Sequence, residues 1–335
     1  MVFDRNSLAA VENKVGFVVP DFISYLDDTF RKSTISEIQT FFQKYGDIKK
    51  WMIFSDYALY DNKKSNDVIV FSFVPYILKF KEYIEILKNI APKDIKKTKV
   101  ISDQFIDFLN NIPIINFAFI LNKKRKLAID EVNAFLSWIQ NAIKMLECWE
   151  ITTPRGKSRY EESIKKFNVI QKELQRKGPD LTTIRDINIL AALTSYLTNQ
   201  IALIGNIENF CWLSDRDILL SFKNKDISSP IVFDLISYYY HIFCENDNLE
   251  NRPELAFGIP EPEGSVWYDS FNRIPDLIAG ALADYNLKTN QNSHSKFIKI
   301  FENFFTNSEK VKIFKLDICR DRISTSKVTI QKLIF

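Results

Sequence analysis

Glycine is scarce in this chain, at 8 of 335 residues, and that shortage excludes whole classes of chemistry. Neither G-x-G-x-x-G nor G-x-x-x-x-G-K-[ST] occurs, so no glycine loop is available to cradle a dinucleotide or a triphosphate. Histidine is scarcer still. His241 and His294 are the only two, which excludes a histidine-rich metal site and an H-N-H type nuclease. The four cysteines, Cys148, Cys211, Cys244 and Cys319, form no C-x-x-C pair, so they fit neither a zinc site nor a disulfide framework. They read as buried thiols of a reducing compartment. No G-x-S-x-G exists, and neither histidine has a recognisable nucleophile beside it. The N-terminal Met-Val-Phe-Asp-Arg-Asn lacks a basic region followed by an apolar one, so no secretory signal is expected. The longest apolar stretch, near Leu190–Ile204, is interrupted by Thr194, Ser195, Thr198, Asn199 and Gln200, too polar for a membrane span. The expected compartment is the cytoplasm, with no membrane partner.

What is abundant is apolar. There are 28 phenylalanines, and 45 basic side chains nearly balance 42 acidic ones for a net charge of +3. Without a global basic field, any contact to nucleic acid must come from local patches. Trp51-Met52-Ile53-Phe54-Ser55 reads as a strand stopping at Asp56, and Val68–Val74 as its hairpin partner. Helices are expected over about 35–45, 80–89 and 103–110, and a strand over 114–120. From about 128 to 205 the apolar positions recur at helical spacing. Strand character returns at Asn209–Ser214, stopping at Asp215. A helix over 231–243, a short apolar run at Leu255–Phe257 and a helix opened by Pro275 follow. The pattern predicts an α/β protein, a mixed sheet covered by helices. If the first and fourth strands are neighbours, Asp56 and Asp215 converge at one sheet edge and the later helix brings Asp276 to them. Three gathered carboxylates stay ionised only beside a cation. Hard oxygen ligands suit Mg²⁺ or Mn²⁺, and two such ions about 4 Å apart serve phosphodiester hydrolysis.

The segment Tyr268-Asp269-Ser270-Phe271-Asn272-Arg273-Ile274-Pro275-Asp276-Leu277-Ile278-Ala279-Gly280 resembles the C-terminal signature of the uncharacterised domain-of-unknown-function family 3800. Trp212-Leu213-Ser214-Asp215-Arg216 and Phe54-Ser55-Asp56 look like that family's strands ending in an acidic residue. The resemblance implies a ribonuclease-H-like mixed sheet with a large α-helical insertion. The core would be residues 51–126 and 206–290, the insertion 127–205, with extensions at 1–50 and 291–335. It departs from the family where Asp56 is followed by Tyr57-Ala58 instead of Glu-Ser, and where Ile274-Pro275 replaces a glutamine. The function expected is a Mg²⁺- or Mn²⁺-dependent nuclease for DNA or RNA. Asp56, Asp215 and Asp276 would be catalytic metal ligands, and Asp269 and Asp217 the next candidates. The alternative is a non-catalytic protein on the same scaffold, binding a protein partner or a second copy through its helical insertion.

Each aspartate also has a plainer reading. Asp276 after Pro275 suits a first-turn acid facing the helix dipole, Asp56 and Asp215 suit strand-end turns, Asp217 suits a cap, and Asp284 suits a solvated surface. The basic runs Lys123-Lys124-Arg125-Lys126 and Arg155, Lys157, Arg159, with Trp149 and Tyr160 near the second, are candidate nucleic-acid contacts. Charge runs of this kind also occur as ordinary solvated surface.

Overall fold

Apolar strands and amphipathic helices bury their sides against one central sheet. The computed structural model describes residues 19–77, 79–223, 227, 229–260, 264, 266–307, 309–319 and 322–331. Its strands are β1 (Lys50–Ala58), β2 (Asp67–Pro75), β3 (Ile115–Leu121), β4 (Asn209–Ser214) and β5 (Glu254–Gly258). A small hairpin, β6 (Tyr285–Asn286) and β7 (Gln291–Asn292), precedes β8 (Val311–Ile318) and β9 (Ile323–Val328). The helices are α1 (Phe22–Ser33), α2 (Ile35–Lys44), α3 (Phe80–Ile90), α4 (Asp103–Asn111), α5 (Glu131–Thr152) and α6 (Lys157–Leu174). They continue with α7 (Leu181–Ile204), α8 (Ile218–Ser221), α9 (Ile231–Asn246) and α10 (Asp269–Asp284).

The protein is α/β, with a 7-stranded mixed sheet in the order β5-β4-β1-β2-β3-β8-β9. β1, β2 and β3 run antiparallel in turn, whereas β4 lies parallel beside β1 and β5 parallel beside β4. The period of two along each strand sorts its side chains onto two faces. Trp51 and Ile53 of β1 join one core with α1, α2, α5, α6, α7 and α9. Met52 and Phe54 join the other, with α3, α4, α10 and the helical segment 298–305.

Helix α7 shows how a polar-marked segment becomes the centre of a core. It is the one helix among the described residues long and apolar enough to cross a membrane, yet it is buried inside the protein. Its hydroxyls turn back on the helix: Thr194 Oγ1 donates to Leu190 O (2.8 Å) and Thr198 Oγ1 to Thr194 O (2.7 Å). Ser195 Oγ lies 2.8 Å from Ala191 O and 2.9 Å from Ile236 O. Satisfied this way, they enter an apolar core without the penalty of an unpaired polar group.

Several expectations change. The helices expected between 127 and 205 are present, and α7 packs in one core with the sheet. The terminal extensions also join the main body. Phe22, Ile23, Leu26 and Phe30 of α1 are buried, and β8 extends the sheet beside β3. β1 continues past Asp56, which pairs with Val70 inside the ladder. α10 begins at Asp269, so Pro275 lies within the helix instead of opening it. The helix tolerates the bond that Pro275 cannot donate because its anchors are locked. The Phe271 ring stacks on Phe54 (5.0 Å) and on Phe80 (4.7 Å). Asp276 is therefore well past the first turn, where Asp269 sits instead. A role for Asp276 in complementing the helix dipole falls away, since that effect is confined to the first turn.

Candidate metal centre

Parallel pairing of β1 with β4 sets Ser55 against Ser214, so the next residues, Asp56 and Asp215, stand side by side. Both lie in phase with side chains on the α10 face. Asp56 follows Met52 and Phe54, and Asp215 follows Cys211 and Leu213. On the opposite face a hydrogen-bonded chain clamps the two strands directly behind the aspartates. Trp212 Nε1 donates to Ser55 Oγ (3.1 Å), Ser55 Oγ lies 2.7 Å from Tyr57 Oη, and Tyr57 Oη lies 2.8 Å from Ser214 Oγ. Burial pushes the Tyr57 phenol well up, so it stays neutral and can donate.

From above, α10 brings Asp276 to the same face. Tyr268, just before the helix, donates from Oη to Ser214 O (3.3 Å) and ties the helix start to the end of β4. One turn on from Tyr268 is Asn272, and one further turn on is Asp276. The three share a stripe at the i, i+4 spacing. Asp215 acts on both ends of this stripe: its charge contributes to the raised Tyr268 phenol and to the raised Asp276 carboxyl. Asn272 is 5% exposed, and both its Nδ2 and its Oδ1 lack a partner. The sequence reading missed it, because an asparagine in a helix carries no pattern; only its unpaired burial singles it out.

The electrostatics agree with the placement. Burial, and then the charges of Asp276 and Asp215, hold the Asp56 carboxyl well above its ordinary range. Burial and then Asp215 push Asp276 up to about 6. Carboxyls in that state gain from a cation. The set does not converge, however. Among the described residues no three His, Cys, Asp or Glu side chains come close enough together to hold a metal ion. Asp215 explains part of this, for it is exposed and its Oδ1 accepts from the amide of Arg216 (2.7 Å). Asp56, Asp215 and Asp276 thus stand as three carboxylates on one face, within reach of each other's charge.

No protein-family model, curated protein or solved structure matches this chain.

The remaining candidates scatter. Asp269 borders a separate hollow with Lys81, Ser270 and Arg273. Asp217 caps α8, its Oδ1 accepting from Leu219 N (2.9 Å), and lines a 240 Å³ cavity with Tyr57 and Asp186. Arg125 is not a surface contact at all. It is 2% exposed, with Nη1 2.6 Å from Asp67 Oδ2 and Nε 2.8 Å from Asp186 Oδ1. Lys123 donates from Nζ to Asp61 O (2.8 Å), bracing the β1–β2 turn, while Lys124 and Lys126 are exposed. Arg155 is exposed on the α5–α6 connection and Lys157 at the start of α6, where it lies 3.9 Å from Glu161. Arg159 instead lines a large cavity.

Asp284 is likewise no solvated acid, being 2% exposed. Burial alone would raise its carboxyl, but Lys64 (2.8 Å), Ser293 (2.5 Å) and His294 (2.6 Å from Nδ1) hold it well below the ordinary range. A lowered carboxyl contributes stability that is present above its unfolded value near 4 and lost as pH falls below that. Asp284→Asn is expected to destabilise the protein by about 2 kcal/mol at pH 7. Urea denaturation at pH 7 and at pH 3 checks this, since the difference from wild type should shrink in acid.

Proposed function

We propose that the protein is a divalent-metal-dependent nuclease on a ribonuclease-H-like core. The carrying observation is that Asp56 and Asp215, on adjacent parallel strands, share a face with Asp276 of the helix above them. The strand order β5-β4-β1-β2-β3, with the first three strands in sequence antiparallel and the next two parallel to β1, supports that reading of the core. The three carboxylates and the Asn272 amide would offer hard oxygen donors suited to Mg²⁺ or Mn²⁺. Asp56, Asp215 and Asp276 would hold the cation, which would activate a water and neutralise charge on the scissile phosphate. Among the chain's own groups, the Ser55–Tyr57–Ser214 chain fixes the two strands, and Asn272 Nδ2 can donate to a phosphate oxygen.

The test is cleavage of end-labelled single- and double-stranded DNA and RNA with Mg²⁺, with Mn²⁺ and with EDTA. Cleavage that needs either ion and stops in EDTA is expected. If none of these substrates is cut with either ion, the second reading takes its place: a non-catalytic binding protein on the same scaffold. One observation favours that reading, the failure of the carboxylates to converge.

A further inference from the structure

A cavity of about 640 Å³ opens at the starting ends of β1, β4 and β5. Its floor is Met52, Cys211 and Leu213, the residues that precede Asp56 and Asp215 on the same face of the sheet. Leu213 stands two residues before Asp215, about 7 Å along the strand. The cavity floor and the carboxylates thus share one face of the sheet. β5, the edge strand, lines the cavity with Ala256, and its Gly258 packs against Leu213. A Cβ on Gly258 would meet Leu213 Cδ2 at 2.2 Å.

The walls carry two kinds of group. Trp267 and Tyr76 are 58% and 56% exposed, large aromatic faces in water. Both are braced by Phe80, at 5.8 Å and 5.3 Å between ring centroids, so they are held instead of swinging free. Lys50, Arg159 and Arg252 supply positive charge. Among the described residues Lys50 and Arg159 have no carboxylate partner, whereas Arg252 pairs with Glu245. Glu254 at the mouth is the one opposing charge on the lining. Braced aromatic faces and basic side chains lining one cavity are the groups that bind unpaired bases on a phosphate backbone. A duplex, whose bases are already stacked, cannot use the aromatic faces.

We infer that this cavity binds a segment of single-stranded nucleic acid, stacking bases on Trp267 and Tyr76, and leads the strand to the Asp56–Asp215–Asp276 face. The inference rests on the nuclease reading only in naming the end of the path that reacts; the binding itself stands apart from it.

The experiment measures anisotropy of fluorescein-labelled (dT)12, (U)12 and a 12-base-pair DNA duplex with the full chain in EDTA. Wild type should bind one or both single strands at least about ten-fold tighter than the duplex. Trp267→Ala and Tyr76→Ala, both at exposed positions, should each weaken single-strand binding by about ten-fold while unfolding at the same temperature as wild type. Arg159→Ala should lower the slope of log K against log salt by about 0.7. Equal binding of duplex and single strand, or single-strand binding unchanged in both aromatic variants, overturns the inference. Parallel cleavage assays with Mn²⁺ keep the two readings apart. Cutting that ignores Trp267→Ala removes the binding path and leaves the nuclease. Trp267-dependent binding with no cutting removes the nuclease and leaves the path.

Discussion

Asp276→Asn is expected to lower metal-dependent cleavage by about a hundred-fold or more while making the metal-free protein more stable. The rate falls because a neutral amide holds a divalent cation less well and supplies less of the charge that fixes it, a loss of several kcal/mol in the transition state. The stability rises for the opposite reason. Burial and Asp215 hold the Asp276 carboxyl near about 6, above the ordinary 3.8. A carboxyl raised in the folded state binds its proton more tightly there than in the unfolded chain. The fold is therefore unpenalised below about pH 4, loses stability as pH rises through about 6, and stays penalised above. The penalty is on the order of 3 kcal/mol, and asparagine removes it. Thermal melts in EDTA at pH 4, 6 and 8 should show the variant gaining on wild type as pH rises. A variant that is less stable than wild type at pH 8 would identify Asp276 as a structural residue, and a retained rate would remove it from the site.

Arg125→Met should destabilise the protein by about 3–5 kcal/mol. Its guanidinium grips Asp186 with two bonds (2.8 and 2.9 Å) and Asp67 with a third (2.6 Å), and its last contact is Asn122 O (3.1 Å). Tyr60 covers its face at 4.7 Å and donates its hydroxyl to Asp186. The network joins the start of β2, the β1–β2 turn, the loop after β3 and the first part of α7. Removing the cation strands two buried carboxylates, Asp67 and Asp186. Urea midpoints for Arg125→Met and for Asp67→Asn/Arg125→Met/Asp186→Asn separate the causes. The triple variant should recover part of the loss, because no charge is then left unpaired. A loss below about 1 kcal/mol in the single variant would mean that the network is solvated.

The contrast between Arg125 and its neighbours shows where the sequence is legible. Lys123-Lys124-Arg125-Lys126 looks uniform as text, and only contacts 58 and 61 residues away bury one member of it. Strands β1, β2, β3 and β8 announce themselves by apolar, β-branched and aromatic runs. β9, Ile323–Val328, has four polar residues among its six and reads as loop; pairing with β8 makes it a strand. α1 was visible in principle, since Phe22, Ile23, Leu26 and Phe30 recur at helical spacing. The neighbouring of β1 and β4 is a non-local pairing that no local pattern states, and the conjecture about Asp56 and Asp215 depended on it. Pro275 misled because proline usually opens a helix, and here the stacking of Phe271 prevailed over that preference. Asp284 looked solvated because Lys64 and His294, which bury its charge, come from separate segments of the chain.

The most direct test of the central claim is where Mn²⁺ binds. Crystals of the full chain soaked in Mn²⁺ and measured at the manganese absorption edge should give anomalous density between Asp56, Asp215 and Asp276, with Asp215 rotated off the Arg216 amide. The same soak of Asp56→Asn crystals should lose that density. Manganese bound only elsewhere, or density at this face unchanged in Asp56→Asn, would contradict the assignment of these three aspartates as metal ligands.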